Sequence, residues 1–518
     1  MAVVDLATTH YQTLVAGALA VSLVLFWFIP TVRQYLRLRH IPGPFSSGFS
    51  KLWLLRGTLS GQLHLKFYEA NQKYGSIARI APNEVITSDP KLLRHILAVR
   101  SPYQRSDWYL ALRFNPHRDN LITLLDDDEH TKLRAKMAAG YSGREVDNLE
   151  HRIDRNILAL ANLIATKYMP ANKAFDFGRK AQYFTLDALS DIAFGRIFGF
   201  LASDSDMYAY LETMEQQLTA IAVSIVYPWI VSVVASPLFA RLLPSHHDAL
   251  GFGRIMGIAR DTVAARFQGD STDKLKHVAD DAPRDMLGSF LAHGLTRDEA
   301  ESEVLLQIIA GSDTTATAIR ATALYLATNP RVLSRLRAEL ESTAHANRPW
   351  DEVISYADAL KLPYLQAVIK EGLRIFPPAT SPVPKLVPPS GDTWDGVYLP
   401  PGTKVGYCAW GVFRRPDVWG DDADEFRPER WLVEDGADPA KVKEMDATLD
   451  LHFGLGRWQC LGKGVAFMEL NKIFVELFRR FDLAVLNPDK PWESRNTGLF
   501  IQSEFWMKAT LREGIKPT

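Results

Sequence analysis

One cysteine and its neighbours constrain this chain more than any other feature in it. Residues 452–464 read HFGLGRWQCLGKG, so Cys460 sits in a glycine-rich loop just before an apolar helical run from Val465 to Phe478. A thiolate there faces the first free N–H groups of a helix. Those donors, with the helix dipole, stabilise negative sulfur. Gly454, Gly456 and Gly462 let backbone pass close to a flat ligand, and Phe453 can shield the sulfur. A lone cysteine at a helix start reads first as a buried structural residue. The glycines and aromatic residues around this one favour a thiolate held by amide donors and protected from water.

The only other cysteine is Cys408. Two cysteines in 518 residues exclude a disulfide scaffold and fit a reducing compartment. Apolar residues at 47% and charged residues at 23% are ordinary for a globular chain, and a net charge of −1 gives no basic field for nucleic acid.

Tyr11 to Pro30 carries no formal charge. Twenty helical residues span about 30 Å, the hydrocarbon thickness of a bilayer. Arg33, Arg37 and Arg39 follow at once, which places the rest of the chain in the cytoplasm. The reading is a short lumenal segment over 1–10 and a transmembrane anchor over 11–30. A basic, proline-rich hinge over 31–45, with His40-Ile41-Pro42-Gly43-Pro44 as a stiff elbow, leads into one catalytic unit over 46–518. Leu218 to Leu243 is a second apolar stretch, but Pro228 and Pro237 interrupt it, so it reads as a buried or membrane-dipping helix pair.

Helical spacing or composition marks residues 62–74, 127–140, 145–167, 179–196, 206–223, 247–267, 297–328, 330–343 and 363–374. Strand-like runs are fewer: Ile77–Arg79, Glu84–Thr87, Lys385–Val387, Val397–Leu399 and Lys404–Tyr407. Residues 268–283 read as a polar loop and 410–450 as an irregular meander.

The Cys460 loop resembles the cysteine-ligand loop of the cytochromes P450. Phe453, Gly456, Cys460 and Gly462 match that family's spacing. The family usually has Arg or His two residues before the cysteine, bonding a haem propionate; here Trp458 stands there beside Arg457, and an indole N–H can still donate. Ala310-Gly311-Ser312-Asp313-Thr314-Thr315, midway along the 297–328 helix, resembles the family's oxygen-activating segment. In it Gly311 permits close approach to the haem, Thr314 bonds dioxygen and Asp313 relays protons. Glu371 and Arg374, at i and i+3, resemble the family's buried pair, with Arg430 in Phe426-Arg427-Pro428-Glu429-Arg430-Trp431 as the third member. His130 and Arg134, at i and i+4, resemble residues that hold a propionate, as does Lys385 after Pro384.

The resemblance implies a mainly α fold with small β-sheets, preceded by one N-terminal transmembrane helix. It implies haem b (iron protoporphyrin IX) on Cys460 and insertion of one oxygen atom of O2 into a lipophilic small molecule. Electrons would come from a separate NADPH-cytochrome P450 reductase, with cytochrome b5 as a further donor, at the endoplasmic reticulum membrane. Arg414, Arg415, Arg457 and Lys463 would form part of a basic docking face. The loop and the tail from Asn487 to Trp492 resemble fungal members of the pisatin demethylase type, which suggests secondary metabolism. Tyr103, Trp108, Phe114, Ile309, Thr380, Val383 and Phe500 are the expected pocket wall, with Ala310. Two rivals stay open: a haem-thiolate isomerase or dehydratase needing no O2, against which Asp313-Thr314 argues, and a non-catalytic haem sensor.

Overall fold

The longest helical pattern folds as one helix of 32 residues, Arg297–Thr328. Its start is fixed by a capping box: the Thr296 side chain accepts from the Glu299 N–H, and the Glu299 side chain accepts from the Thr296 N–H. Asn329 leaves helical geometry just before Pro330, as the residue before a proline tends to do. The helix is buried on most of its faces, which explains its lack of a clear polar side. The equally buried helix Phe177–Phe194 packs along it. The computed structural model describes residues 28–239, 243–267, 284–342 and 348–515, with isolated positions between 14 and 26.

Small sheets flank this helical body. The largest has five strands, in the order Ile77–Ala81, Glu84–Thr87, Lys404–Tyr407, Lys385–Leu386 and Gln104–Arg105. Glu84–Thr87 runs parallel to Lys404–Tyr407 and the other pairs are antiparallel. Its outermost pairing sets Arg105 directly opposite Lys385. Like charges opposed across a ladder repel, so this register needs negative charge nearby.

Behind the central helix lies a knot built on Glu371. Helix Pro363–Ile375 carries both Glu371 and Arg374, whose side chains are 0% exposed. Arg374 Nη2 donates to Glu371 Oε1 at 2.8 Å and its Nε to Oε2 at 2.8 Å. Arg430 Nε reaches Oε1 at 3.0 Å, Trp431 Nε1 reaches Oε2 at 2.9 Å, and the Arg427 N–H reaches Oε1 at 2.9 Å. Arg374 also donates to the carbonyls of Phe413, Ala423 and Glu425. Burial works against the Glu371 charge, but Arg374 and Arg430 outweigh it and hold the carboxyl below its ordinary range.

Several elements depart from the sequence reading. Residues 439–449 of the expected meander are a regular helix, Pro439–Leu449, capped by Asp438 accepting from the Ala440 N–H with Pro439 in the first turn. Helix Leu149–Leu163 continues into a wider turn over Ile164–Tyr168. The apolar stretch after residue 218 does form the expected helix pair, the end of helix Tyr210–Val226 and, after a break at Pro228, a short helix Trp229–Val234. The C-terminal region adds strands Phe481–Val485, Glu493–Asn496, Phe500–Ser503 and Trp506–Leu511. The expected hinge over 31–45 is docked on the body: Leu38 and Ile41 are buried, and the Arg79 N–H donates to the Pro42 carbonyl at 2.9 Å. Residues 268–283 and half of the expected anchor over 11–30 lie outside the described residues. Among the described residues, no helix is long and apolar enough to cross a membrane.

Replacing Glu371 by Gln leaves the buried Arg374 guanidinium without its counter-charge, and Arg430 with Asp422 alone, at 3.0 Å. The expected loss is about 3–5 kcal/mol of unfolding free energy, read by denaturant unfolding. Because the folded pKa lies below the unfolded one, the charge contribution is present above about pH 4.5. It is lost as pH falls through the folded value, and the variant lacks that acid-side dependence.

Candidate active site

Cys460 is placed by a turn that only glycine makes cheaply. Gly454 has φ +68° and Gly456 φ +61°, and a Cβ on them would lie 3.1 Å from the Trp458 carbonyl oxygen and 3.2 Å from that of Leu97, respectively. The Cys460 N–H closes the loop on the Phe453 carbonyl at 2.7 Å. Helix Lys463–Arg480 follows, and the N–H groups of Gly462 and Lys463 point at the sulfur. Burial raises the thiol pKa; those two amides and the charges of Arg134 and Lys463 oppose the rise. Cys408 is buried with less relief and is pushed up to about 12.

The Cys460 sulfur opens on a cavity of about 440 Å³ between its loop and the central helix. One end of the cavity is strongly cationic. Arg105, Arg134 and Lys385 all line it, with His130 and Trp458. Arg105 donates from Nη1 to the Leu121 and Leu124 carbonyls and from Nη2 to His130 Nε2 at 3.1 Å. His130 Nε2 thus accepts, and Nδ1 carries the proton without a partner. Burial and then Arg105 lower the His130 pKa to about 3, so the ring is neutral. Lys385 Nζ lies 3.7 Å from the Trp458 ring centre and 4.7 Å from that of Tyr109. Burial, then the charge of Arg105, holds its pKa well below the ordinary lysine range. Trp458 Nε1 and Arg105 Nε are also buried without partners.

This donor set suits a flat group with paired carboxylates at one edge and a metal within reach of Cys460. Several buried donors are unpartnered, and Arg105, Arg134 and Lys385 all line the cavity. Arg105 was missed by the sequence reading because it sits in a two-residue strand, Gln104–Arg105, too short to register as periodicity. Arg134 donates from Nη1 to the Gln459 carbonyl at 2.6 Å, bracing the cysteine loop. Arg457 turns away from the cavity to Asp127, at 2.9 Å, and the Ser101 carbonyl. Arg414 is buried, bonded to Asp424 and the Ile375 carbonyl, and so cannot belong to a docking face. Arg415 and Lys463 pair with Asp417 and Asp450.

The central helix divides the acid–alcohol pair between its two sides. Ala310, Gly311 and Thr314 line the cavity, and Thr314 Oγ1 donates to the Ala310 carbonyl at 3.0 Å. Gly311 also admits Leu189 of helix Phe177–Phe194, whose Cδ1 would lie 3.2 Å from an added Cβ. Asp313 does not line this cavity. Its Oδ1 accepts from Gln182 Nε2 at 2.5 Å, Gln182 Oε1 accepts from Arg320 Nη2 at 2.7 Å, and a second pocket of about 40 Å³ adjoins it. Burial, relieved by Arg320 and Gln182, raises the Asp313 pKa to about 6.

Of the expected pocket wall, Ala310 and Val383 line the main cavity. The others do not. Tyr103 donates to Asp392 at 2.7 Å beside the five-stranded sheet, and Trp108 packs edge-on against Tyr109, which does line the cavity. Phe114 packs against Phe252, Ile309 is in the core, and Thr380 Oγ1 bonds Asn496. Phe500 stacks near Phe376 and belongs to the small pocket beside Asp313. Aromatic size suggested a pocket wall, but these rings fill the core instead.

The comparisons agree with this geometry. The cytochrome P450 family model matches residues 42–507. Cytochrome P450 monooxygenase ABA1 of Pyricularia oryzae is 40% identical over 98% of this chain and 99% of its own length. Cytochrome P450 monooxygenase aba1 of Botryotinia fuckeliana is 38% identical over 92% and 93%, and abl1 of Leptosphaeria maculans 37% identical over 91% and 83%. A cysteine held by amide donors, a cationic cavity edge and a Thr-bearing central helix thus occur in a chain that matches its relatives almost end to end, and the protein belongs to the cytochrome P450 family, as one of its monooxygenases.

Proposed function

We propose that the chain oxidises a lipophilic small molecule with O2, using haem b held at Cys460 and electrons from an NADPH-cytochrome P450 reductase, with cytochrome b5 as an accessory donor. The observation that carries this reading is the Cys460 sulfur, faced by two helix N–H groups and open to a cavity whose edge is lined by Arg105, Arg134 and Lys385. Bound there, haem b would supply the redox chemistry that puts one oxygen atom into the substrate and reduces the other to water, with two electrons and two protons consumed.

The protein's own groups do the rest. Arg105, Lys385, His130 Nδ1 and Trp458 Nε1 hold the propionates. The amides of Gly462 and Lys463 favour the thiolate against the opposing effect of burial. Thr314 Oγ1 is the proton donor on the cavity side. Asp313 resupplies it from the other side of the helix, oriented by Gln182 and kept partly protonated near neutral pH by burial. Apolar residues such as Leu93, Ile96, Leu121 and Leu306 exclude water.

The same reading places the protein at the endoplasmic reticulum, anchored by residues 11–30 with the catalytic unit in the cytoplasm. Phe45, Leu59, Trp229 and Leu238 support membrane contact, since each is more than half exposed. They lie on or near the packed helices Leu52–Leu59 and Tyr210–Val226, which Lys51 ties together through the Val226 carbonyl at 2.8 Å. The fungal relatives support a place in secondary metabolism.

Three outcomes test the assignment. Cys460→Ser is expected to abolish the carbonyl spectrum of a thiolate-ligated ferrous haem; persistence of that band overturns the ligand. Thr314→Ala is expected to lower product formed per NADPH by about tenfold or more while peroxide rises, and unchanged coupling removes its role. Product per NADPH is expected to fall as pH rises through about 6, where Asp313 loses its proton. Asp313→Asn flattens that profile and slows turnover about a hundredfold.

A further inference from the structure

The cavity holds a polar corner that the reaction does not use. Glu303 and Gln307 stand one turn apart on the central helix, facing the cavity on the same side as Thr314. Both are at least nine-tenths buried, at 2% and 3% exposure. Glu303 Oε1 accepts from the Leu121 N–H at 2.6 Å, which leaves Oε2 for another partner. Gln307 Nε2 meets the weak acceptor Met286 Sδ at 3.7 Å and faces the Tyr141 hydroxyl, while Gln307 Oε1 has no partner. Tyr141 completes the corner, with Gln307 beside its hydroxyl. The walls between this corner and Thr314 are apolar, Leu306 and Leu189 among them.

An unpartnered amide oxygen in a buried site is expensive unless something donates to it. Burial raises the Glu303 pKa to about 8, against the relief of the Leu121 bond, so at neutral pH the carboxyl offers a proton. One acceptor beside one donor is the complement of a hydroxyl group, which gives one hydrogen bond and takes another. A carboxylate would leave Gln307 Oε1 unsatisfied, and a hydrocarbon would leave both groups so.

We infer that Glu303 and Gln307 form the polar anchor of the substrate site, binding a hydroxyl of an otherwise apolar substrate. This deepens the proposed monooxygenase reading and rests on it. Seven residues of helix rise separate Gln307 from Thr314, about 10 Å at 1.5 Å each. The anchored hydroxyl therefore lies remote from the carbon that is oxidised, and the substrate is an extended alcohol rather than a small one.

The test uses the haem-loaded full chain and three matched probes: 1-decanol, its methyl ether 1-methoxydecane, and decane. Binding is followed by the shift of the haem absorption band and by calorimetry. The alcohol is expected to bind about tenfold tighter than the ether, which accepts but cannot donate. Gln307→Met, close in size but without the acceptor, is expected to bring the two within about twofold and leave decane unchanged. Glu303→Gln keeps a donor and is expected to retain the alcohol preference, whereas Glu303→Leu loses it. No preference in the parent protein, or one that survives Gln307→Met, overturns the inference. The carbonyl spectrum keeps the two readings apart. A normal thiolate band without alcohol preference defeats only the anchor, while absence of that band in the parent protein defeats the haem-thiolate reading beneath it.

Discussion

Positive charge gathered at one buried edge is the constraint on which the rest of the site depends. Arg105 and Lys385 are cross-strand partners, Arg134 approaches from the helix Asp127–Tyr141, and all three face one cavity. The two carboxyls in the same wall, Glu303 and Glu469, are both raised by burial to about 8 and do not balance this charge at neutral pH. Asp127 is paired with Arg457 and offsets Arg105 and Lys385 only in part. Isolated buried cations are costly, so the sheet register, the neutral state of His130 and the orientation of Trp458 all make sense around a doubly anionic guest. The departure from the family pattern at Trp458 is absorbed here: the ring stacks on Lys385 and its N–H stays available.

The central helix works as a partition. Its cavity side carries Thr314, Gly311, Ala310, Gln307 and Glu303. Asp313 turns from that cavity toward Gln182 and Arg320. A helix 32 residues long, capped at its start and packed along helix Phe177–Phe194, keeps such opposed faces in fixed relation. Binding and proton handling can then be adjusted separately, since few residues serve both.

Much of this was legible before any coordinates. The 297–328 helix was read to the residue, because a capping box and a following proline mark both ends. Strands Glu84–Thr87, Val397–Leu399 and Lys404–Tyr407 were also read to the residue. The Glu371–Arg374–Arg430 knot followed from a resemblance, not from spacing, since an i, i+3 charge pair is usually a surface pair. Helix Pro439–Leu449 was missed although Asp438-Pro439 is a start signal, because its faces are weakly sorted by polarity. The pocket wall was the weakest reading. Tyr103, Phe114 and Phe500 were chosen for size, and size alone does not tell an aromatic ring lining a cavity from one filling a core. Glu303 and Gln307 were passed over because a polar residue within a long helix is usually solvated; only their burial shows otherwise.

The knot around Glu371 has a bearing on how the chain assembles. Among the described residues, the hydrogen-bond partners of Glu371 and Arg374 come from residues 371–431, within 60 positions of one another. Cys460 lies beyond that span. During synthesis the scaffold behind the cofactor loop can therefore close from short-range pairings before the loop itself is made. The metal-binding cysteine would then arrive at a wall already standing, and cofactor capture would be a late event in biogenesis instead of the nucleus of folding.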